Sequence, residues 1–265
     1  MDKAEIKLSQ NDYQYCGIIT GMKRYKTIPF GNDVINNRSI IEITGEAGTG
    51  KSKLCYYFAL NTIMPEKNGG HEKSCLFITT YMRLSDDKLI NFFCEPAKSK
   101  GLNDQEIELM FKKLIYKHLC FEDFQMFIND NFEKFLVENR IQTIIIDNIS
   151  CLCDEKFQED KVYNYPARHN FLFDFFFKLN GLILKYNLFC YCVNEVRALF
   201  DHEIGMNFYN ALRPAMGKSW ENNLGTRLFL KKNKNKRWIE VSFSNFLIKQ
   251  YFEFKITQDG FEFLN

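Results

Sequence analysis

Apolar residues recur along the chain with two alternating periods, one typical of buried strands and one typical of helices. Ser39–Thr44 is a short run rich in β-branched residues, and Lys51–Thr62 follows a glycine-rich turn with the spacing of a helix. Ile141–Asp147 is apolar at nearly every position near its end, as in a parallel strand buried on both faces. The alternation continues, with strands predicted at Ser74–Thr80 and Leu188–Val193 and helices at Leu84–Cys94, Asp104–Leu119, Phe124–Asn139 and Asn170–Tyr186.

The pattern changes after residue 225, where strand-like runs follow one another with only turns between them. These runs are Thr226–Lys231, Trp238–Phe243, Tyr251–Ile256 and Phe261–Leu264. Strands separated by helices predict a mostly parallel sheet with helices on both faces, and the last four strands predict an antiparallel C-terminal extension of it. The 265 residues, 46% of them hydrophobic, suffice for one α/β domain.

Charge and cysteine content narrow the range of functions. Lys and Arg number 35 against 33 Asp and Glu, so any contact with nucleic acid must be local and not driven by net charge. The nine cysteines form no C-x-x-C pair and mostly lie in apolar runs, which favours a reducing compartment and no zinc site. Met1–Gln10 lacks the apolar core of a signal peptide, and charges interrupt Asn170–Leu188, so we expect an intracellular protein without a membrane span.

A glycine-rich segment between a predicted strand and a predicted helix fits the phosphate-binding pattern G-x-x-x-x-G-K-[ST]. Its residues are Gly45, Glu46, Ala47, Gly48, Thr49, Gly50, Lys51 and Ser52. In this motif, backbone N–H groups surround phosphate oxygens, the lysine reaches the β and γ phosphates, and the hydroxyl ligates Mg²⁺. The alternative is an ordinary glycine-rich turn, but the strand and helix on either side favour an ATP site.

Asp147 ends the apolar run Ile144–Asp147, at the carboxyl end of a predicted buried strand. A carboxylate there can hold Mg²⁺ beside the phosphates of a bound nucleotide. By itself an aspartate at a strand end is as well explained as a helix cap or turn residue. The phosphate-binding segment upstream favours the metal role, with Ser52 and Asp147 as the predicted ligands.

Several segments resemble one family, the RecA-type strand-exchange recombinases of eukaryotes and archaea. Ile19–Gly21 and Ser39–Cys55 are similar to the opening of the family's ATPase core. Leu76–Leu89, Ile144–Ser150 and Val193–Val196 resemble later segments of that core in the same order. The resemblance implies a RecA-like P-loop ATPase core over residues 19–265, preceded by a short tail at 1–18, with ATP and Mg²⁺ as cofactors.

Two further segments resemble the recombinase paralogues, which are the auxiliary members of the family. These are Pro214–Trp220 and Thr226–Leu228, similar to the paralogues' "PALG..W" and "TRL" strings. The resemblance implies a nuclear protein of homologous-recombination DNA repair that joins related recombinase subunits. Because the family's helical N-terminal domain and an F-x-x-A segment are not recognised before Gly17, self-assembly into filaments is not expected.

Two positions depart from the pattern of the catalytic members. The glutamate that orients the attacking water in the family aligns with Tyr81, and a tyrosine cannot act as a carboxylate base. The glutamine that senses the γ phosphate aligns with Glu195, whose negative charge is unfavourable beside ATP unless it points away or meets a neighbouring subunit. These departures predict slow hydrolysis and weak coupling to DNA.

The resemblance also implies two loops that contact single-stranded DNA, Cys153–Arg168 after Asp147 and Arg197–Arg213 after Glu195. The first carries balanced charges and is a poor phosphate clamp, whereas the second combines Arg197 and Arg213 with Phe200 and Tyr209. An ordinary surface loop explains the second equally well.

Two other segments admit both structural and functional explanations. Lys231–Arg237 has five cations in seven residues at a predicted hairpin tip, which is either a solvated turn or a site for DNA or a partner. The aromatic series Phe171, Phe173, Phe175, Phe176 and Phe177 is predicted to pack in the core.

Three functional hypotheses follow. The first is an ATP-binding paralogue that assists recombinase filament assembly on single-stranded DNA. The second is an active DNA-dependent ATPase or strand-exchange recombinase that uses Lys51, Ser52 and Asp147. The third, a small-molecule P-loop kinase, is disfavoured by the resemblance that continues after residue 187.

Overall fold

The computed structural model describes residues 29–30, 33–34, 39–81, 85–159, 162–198, 212–234, 236–245, 247–257 and 260–264. Its strands are β1 Pro29–Phe30, β2 Asp33–Val34, β3 Ile40–Gly45, β4 Ser74–Thr79, β5 Leu114–His118, β6 Ile141–Asp147, β7 Gln158–Glu159, β8 Val162–Tyr163, β9 Phe189–Asn194, β10 Val196–Ala198, β11 Leu212–Pro214, β12 Leu224–Asn233, β13 Lys236–Ser244, β14 Tyr251–Thr257 and β15 Gly260–Phe263. Its helices are α1 Lys51–Ile63, α2 Asp86–Ser99, α3 Asp104–Phe111, α4 Phe121–Asp130, α5 Phe132–Glu138, α6 Ile149–Phe157, α7 Tyr165–Tyr186 and α8 Gly217–Glu221, with a short 3₁₀ helix at Glu66–Asn68.

One nine-stranded sheet organises these elements in the order β15-β14-β13-β12-β3-β9-β6-β4-β5. From β12 to β5 each strand runs parallel to its neighbour. The remaining strands, β13, β14 and β15, add in antiparallel fashion beyond β12. This confirms the predicted α/β fold with a mostly parallel sheet and an antiparallel C-terminal extension.

Side chains of the central strands alternate between two apolar layers, one on each face of the sheet. Ile41 and Ile43 of β3 face the layer formed with α1, α2 and α3. Ile40 faces the opposite layer, which is formed with α4, α5, α6 and α7. Because both faces are covered, the parallel strands are mostly apolar, as the pattern at Ile141–Asp147 predicts.

The single helix predicted at Asp104–Leu119 is wrong in its second half. The helix α3 ends at Phe111, and Leu114–His118 forms β5, an edge strand that pairs in parallel with β4. The pairing is reinforced by a hydrogen bond between the Thr79 and Tyr116 hydroxyls, 2.8 Å apart. Short apolar runs fit either element, and here the unpaired edge of β4 decides in favour of a strand.

Other helix boundaries also differ from the predicted ones. The helix expected at Phe124–Asn139 is two helices, α4 and α5, because Asn131 has a non-helical φ of −137°. The helix α2 continues to Ser99, beyond the predicted end at Cys94. The helix α7 begins at Tyr165, five residues before the predicted start, where the Asn164 side chain accepts a hydrogen bond from the backbone N–H of Ala167.

The prediction that the whole aromatic series of α7 packs in the core is wrong for two members. Phe175 and Phe176 are buried and Phe171 is half-buried, but Phe173 and Phe177 are exposed. Over the part of the chain that the structure describes, no helix is both long and apolar enough to cross a membrane.

Candidate nucleotide-binding site

The phosphate-binding segment joins the end of β3 to the start of α1, and its shape depends on three glycines with positive φ. Gly45, Gly48 and Gly50 have φ values of 147°, 72° and 112°. A Cβ on Gly45 would lie 2.3 Å from the Leu230 carbonyl oxygen, and one on Gly50 would lie 2.8 Å from a methyl group of Ile256. The glycines therefore permit both the turn and its close packing on β12 and β14, directly before the N-terminus of α1.

The Lys51 ammonium lies inside this loop and satisfies its carbonyl groups. It donates to the Gly45 oxygen at 2.7 Å and to the Glu46 oxygen at 3.1 Å, while the Thr49 hydroxyl donates to the Glu46 oxygen at 2.8 Å. Burial lowers the pKa of Lys51, and the nearby carboxylates of Glu195 and Asp147 oppose that shift. A cation held at the mouth of a loop that opens a helix fits the phosphates of a nucleotide.

Ser52 and Asp147 are brought together from the first turn of α1 and the end of β6. Burial raises the pKa of Asp147, while the neighbouring Ser52 hydroxyl and the Lys51 ammonium act to lower it. A hydroxyl and a carboxylate are hard oxygen ligands, and this donor set fits a nucleotide-bound Mg²⁺ ion. Their assignment as metal ligands, which sequence reasoning proposed, stays a prediction.

Glu195 follows β9, the strand between β3 and β6, and its carboxylate belongs to the same site. The Asn148 amide donates to it at 3.4 Å, and its charge acts to raise the pKa of both Lys51 and Asp147. Its backbone N–H is held by the Ser150 hydroxyl at 3.0 Å. A second carboxylate thus lies within electrostatic reach of the lysine that is predicted to meet phosphate.

Tyr81 lies at the end of β4, on the far side of Asp147 from the glycine loop. The strand ends are joined by the Thr80 hydroxyl, which donates to the Asn148 carbonyl oxygen at 2.6 Å and accepts from its N–H at 3.1 Å. The Tyr81 side chain is 74% exposed.

Behind the site, a buried polar cluster links β3, β9, β12 and α8. The fully buried carboxylate of Glu42 accepts hydrogen bonds from Asn194 at 2.6 Å, from the Trp220 indole at 2.7 Å and from Arg227, which also pairs with Glu221 at 3.3 Å. All four residues lie in segments that sequence reasoning used only as signs of resemblance, and none of them was predicted to form a buried cluster. An acidic residue inside an apolar strand is the signal that it overlooked.

A second lysine also contacts the glycine loop and was not predicted to do so. Because β12 runs beside β3 and continues past its end, Lys232 reaches the loop and donates to the Ala47 carbonyl oxygen at 3.0 Å. The predicted hairpin tip is confirmed, but several of its cations have acidic partners. Lys231 pairs with Glu240 at 2.6 Å, and Lys236 pairs with Glu253 at 3.4 Å.

Comparison with known proteins identifies the family of the chain. The family model described as Rad51 matches residues 13–263. The chain belongs to the Rad51 family. It is 27% identical over 244 residues to the DNA repair protein RAD51 of Saccharomyces cerevisiae, covering 92% of this chain and 58% of that protein.

Two other relatives extend the comparison within the Rad51 family. The DNA repair protein rhp51 of Schizosaccharomyces pombe is 26% identical over 245 residues, covering 92% of this chain and 63% of that protein. The DNA repair protein XRCC3 homolog of Arabidopsis thaliana is 23% identical over 264 residues, covering 84% of this chain and 85% of that protein. The chain thus spans about three fifths of the two yeast proteins but most of the XRCC3 homolog.

The two loops that the Rad51-family resemblance assigned to DNA differ in structure. Most of the first, Cys153–Arg168, is not a loop, because α6 continues to Phe157 and α7 begins at Tyr165, with a short β7–β8 hairpin between them. The ends of the second are paired as β10 and β11, with Arg197 opposite Arg213. Phe200 and Tyr209 lie outside the described residues.

Arg197 links the two predicted DNA segments. Its guanidinium donates to both carboxylate oxygens of Asp154, each at 2.6 Å. The pairing joins α6 to the base of the second loop on the same edge of the sheet as the glycine loop. The charge of Arg197 is thereby partly neutralised within the chain, which weakens the argument for it as a phosphate contact.

Proposed function

We propose that this chain is an ATP-binding auxiliary subunit of the Rad51 family. It acts in homologous-recombination DNA repair in the nucleus, joins a related recombinase subunit, and assists recombinase filament assembly on single-stranded DNA. The family membership supports the role in recombination. The observation that carries the more specific proposal is a phosphate-binding loop with Lys51, Ser52 and Asp147 in place, beside strand ends that lack the expected water-orienting carboxylate.

Binding of ATP is supported by the geometry of the loop. Lys51 is held at the loop by the Gly45 carbonyl oxygen, and the loop leads directly into the N-terminus of α1, whose first amide N–H groups lack partners within the helix. Ser52 and Asp147 would hold Mg²⁺ through their side-chain oxygens, and the ion would neutralise phosphate charge when bound.

Slow turnover is supported by Tyr81, and a modest affinity for ATP is supported by Glu195. Hydrolysis requires a water held in line with the γ phosphate, and the exposed Tyr81 phenol is a weak proton acceptor at neutral pH. Glu195 adds negative charge close to Lys51 and so opposes the approach of the triphosphate. A nucleotide that persists between subunits would stabilise their assembly.

The rival hypothesis, an active DNA-dependent ATPase, is favoured by one observation. The Glu195 carboxylate lies near Lys51 and Asp147, where a base in place of the missing glutamate could accept a proton from water. The kinase hypothesis has no comparable support, because the family match extends through the strands after residue 187.

The proposal is tested by measuring the binding and hydrolysis of ATP by the full chain, with and without single-stranded DNA. We expect Mg²⁺-dependent binding with little hydrolysis in either condition, and faster filament formation when a related recombinase is added. Brisk DNA-stimulated hydrolysis would favour the rival hypothesis.

Lys51→Ala is the decisive variant for the binding step. Because it removes a charge-assisted contact to phosphate, we expect nucleotide affinity to fall roughly 10- to 100-fold. Lys53→Ala is the matched control, since Lys53 stacks on the Phe92 ring 3.6 Å away and does not enter the loop. Unchanged affinity in folded Lys51→Ala protein would contradict the assignment of the site.

A further inference from the structure

The outer face of α7 carries a row of large apolar side chains without a partner among the described residues. Phe173, Phe177 and Leu184 are 60%, 80% and 65% exposed. Their spacings of four and seven residues place them along one line of the 22-residue helix. The opposite face of α7 packs in the core through Leu172, Phe175, Phe176, Leu179, Leu182 and Ile183. The helix is therefore apolar on two opposite faces.

We name the row Phe173, Phe177 and Leu184 the outer strip. Two exposed positions interleaved with it, Asn170 and Gly181, carry no charge, whereas the charged Asp174 and Lys185 lie along one flank. Single exposed apolar residues are common, but a contiguous charge-free row is typical of a surface that another chain covers.

Gly181 lies within this surface and is not explained by the fold of the chain. A glycine in a helix interior costs about 1 kcal/mol relative to alanine. A Cβ at Gly181 would meet nothing within 4 Å, and its φ is not positive, so neither packing nor backbone conformation within the described residues requires glycine. A glycine on an exposed helix face leaves room for the close approach of another side chain.

We propose that the outer strip pairs with the outer strip of a second copy of this chain, with the two α7 helices antiparallel about a two-fold axis. The positions of the charges select the register. If the axis passes midway between Leu179 and Asn180, Asp174 lies directly opposite the partner's Lys185, on the same flank of the helix pair. Lys185 is held at that flank by Glu133 of its own chain, 2.7 Å away.

The same register brings the apolar side chains into contact. With a rise of about 1.5 Å per residue, Phe177 lies about 1.5 Å along the axis from the partner's Gly181, so its ring fits the space left by the absent side chain. Phe173 lies about 3 Å along the axis from the partner's Leu184. Each contact occurs twice, as an isologous dimer requires.

The size of the surface sets the strength of the pairing. A buried aromatic side chain covers about 150–250 Å², and the three side chains are 60–80% exposed, so two phenylalanines and a leucine from each copy bury roughly 800 Å² in total. This is below the limit of about 1,000 Å² for stable specific interfaces, and we therefore expect a weak, reversible dimer. The pairing surface contains no residue of the nucleotide site, so this inference does not depend on the proposed function.

The experiment is sedimentation equilibrium of the full chain without nucleotide, comparing wild type with Phe177→Asp. We expect wild type to dimerise reversibly and Phe177→Asp to dimerise at least about 30-fold more weakly, because the substitution appears twice in the interface. Since Phe177 is exposed, the variant should fold, which circular dichroism checks. Ile248→Asp is the matched control, because Ile248 is 77% exposed and lies outside α7.

The register is tested by a double-mutant cycle on the flanking charges. Asp174→Asn and Lys185→Gln should each weaken dimerisation about two- to fivefold, and the double variant should be no weaker than either single variant, because both remove the same ion pair. Additive losses in the double variant would overturn the antiparallel register.

Three results would overturn the pairing itself. One is a wild-type chain that stays monomeric at roughly 100 µM, where a complex with micromolar Kd is saturated. Another is equal dimerisation of wild type and Phe177→Asp. The third is evidence that something other than a second copy covers the outer strip. This would be seen if the full chain is monomeric and dimerises only after removal of residues 1–28, or if the monomer binds a related recombinase in a manner that depends on Phe177.

Discussion

The glycine loop after β3 and the ends of β4 and β9 lie on the same edge of the sheet, yet they differ in how closely they match the family pattern. At the glycine loop, the motif, the positive φ angles and the contacts of Lys51 all agree with phosphate binding. At the neighbouring strand ends, Tyr81 and Glu195 stand where the resemblance to the catalytic members implies a glutamate and a glutamine. Under the proposed function, this difference separates the binding of a nucleotide from its hydrolysis.

The largest expected effect concerns the rate of ATP hydrolysis and the role of Tyr81 in positioning water. Losing a positioned base costs about 10²- to 10⁴-fold in rate. We therefore expect wild type to hydrolyse ATP that much more slowly than a catalytic member of the family, and Tyr81→Glu to regain part of the rate while ATP binding is kept.

Single-turnover hydrolysis measurements check this prediction, with Tyr81→Phe as the control that removes only the hydroxyl. Wild-type hydrolysis as fast as that of a catalytic member would show that another group positions the water.

The second effect concerns the buried polar cluster around Glu42, which joins β3 of the glycine loop to β9. Arg227→Met leaves the Glu42 carboxylate buried with less compensation, and breaking such a pair costs about 3–5 kcal/mol of unfolding free energy. Denaturant unfolding measures this loss.

Adding Glu42→Gln to Arg227→Met should restore part of the stability, because the uncompensated charge is then removed. If Arg227→Met alone were as stable as wild type, the cluster would not hold the two regions together.

Glu195→Gln gives a smaller effect and distinguishes the two functional hypotheses. Removing the negative charge near Lys51 should tighten ATP binding, by about tenfold or less for one charge in a partly solvated site. Titration with a fluorescent ATP analogue checks the affinity. A fall in hydrolysis with unchanged affinity would instead identify Glu195 as a base.

The smallest effect concerns pH and Asp147. Since burial raises the pKa of Asp147 in the folded state, the charged form is disfavoured there. The protonated carboxyl of Asp147 therefore favours the folded state relative to the charged form. This contribution to stability is fully present below the unfolded pKa of about 3.9 and is lost as pH rises through the folded pKa.

At neutral pH without nucleotide, Asp147→Asn should therefore raise Tm, by about 1–4 °C, while weakening Mg²⁺-dependent ATP binding. The difference in Tm should shrink toward pH 4. A variant less stable than wild type at neutral pH, with no change in Mg²⁺ dependence, would contradict the role assigned to Asp147.

The elements of the site were predictable to different degrees. Gly45–Ser52 combines a motif with a strand and a helix, and all of these are local, so its place in the fold was predicted correctly. The contact of Lys232 with Ala47 was not predicted, because it depends on how far β12 extends beside β3. The carboxylate of Glu195 could be placed near the site only by resemblance, and its influence on Lys51 required the order of the strands.

Local periodicity was sufficient for the class of fold, since apolar runs such as Ile141–Asp147 can be buried on both faces only inside a covered parallel sheet. It was not sufficient where the residues that contact a segment lie far from it in the sequence. Leu114–His118 is a strand because β4 offers it an unpaired edge, and Phe177 is exposed because only one face of α7 meets the core. Hydrogen-bonding partners and burial are set by long-range packing, and that information is absent from the spacing of neighbouring residues.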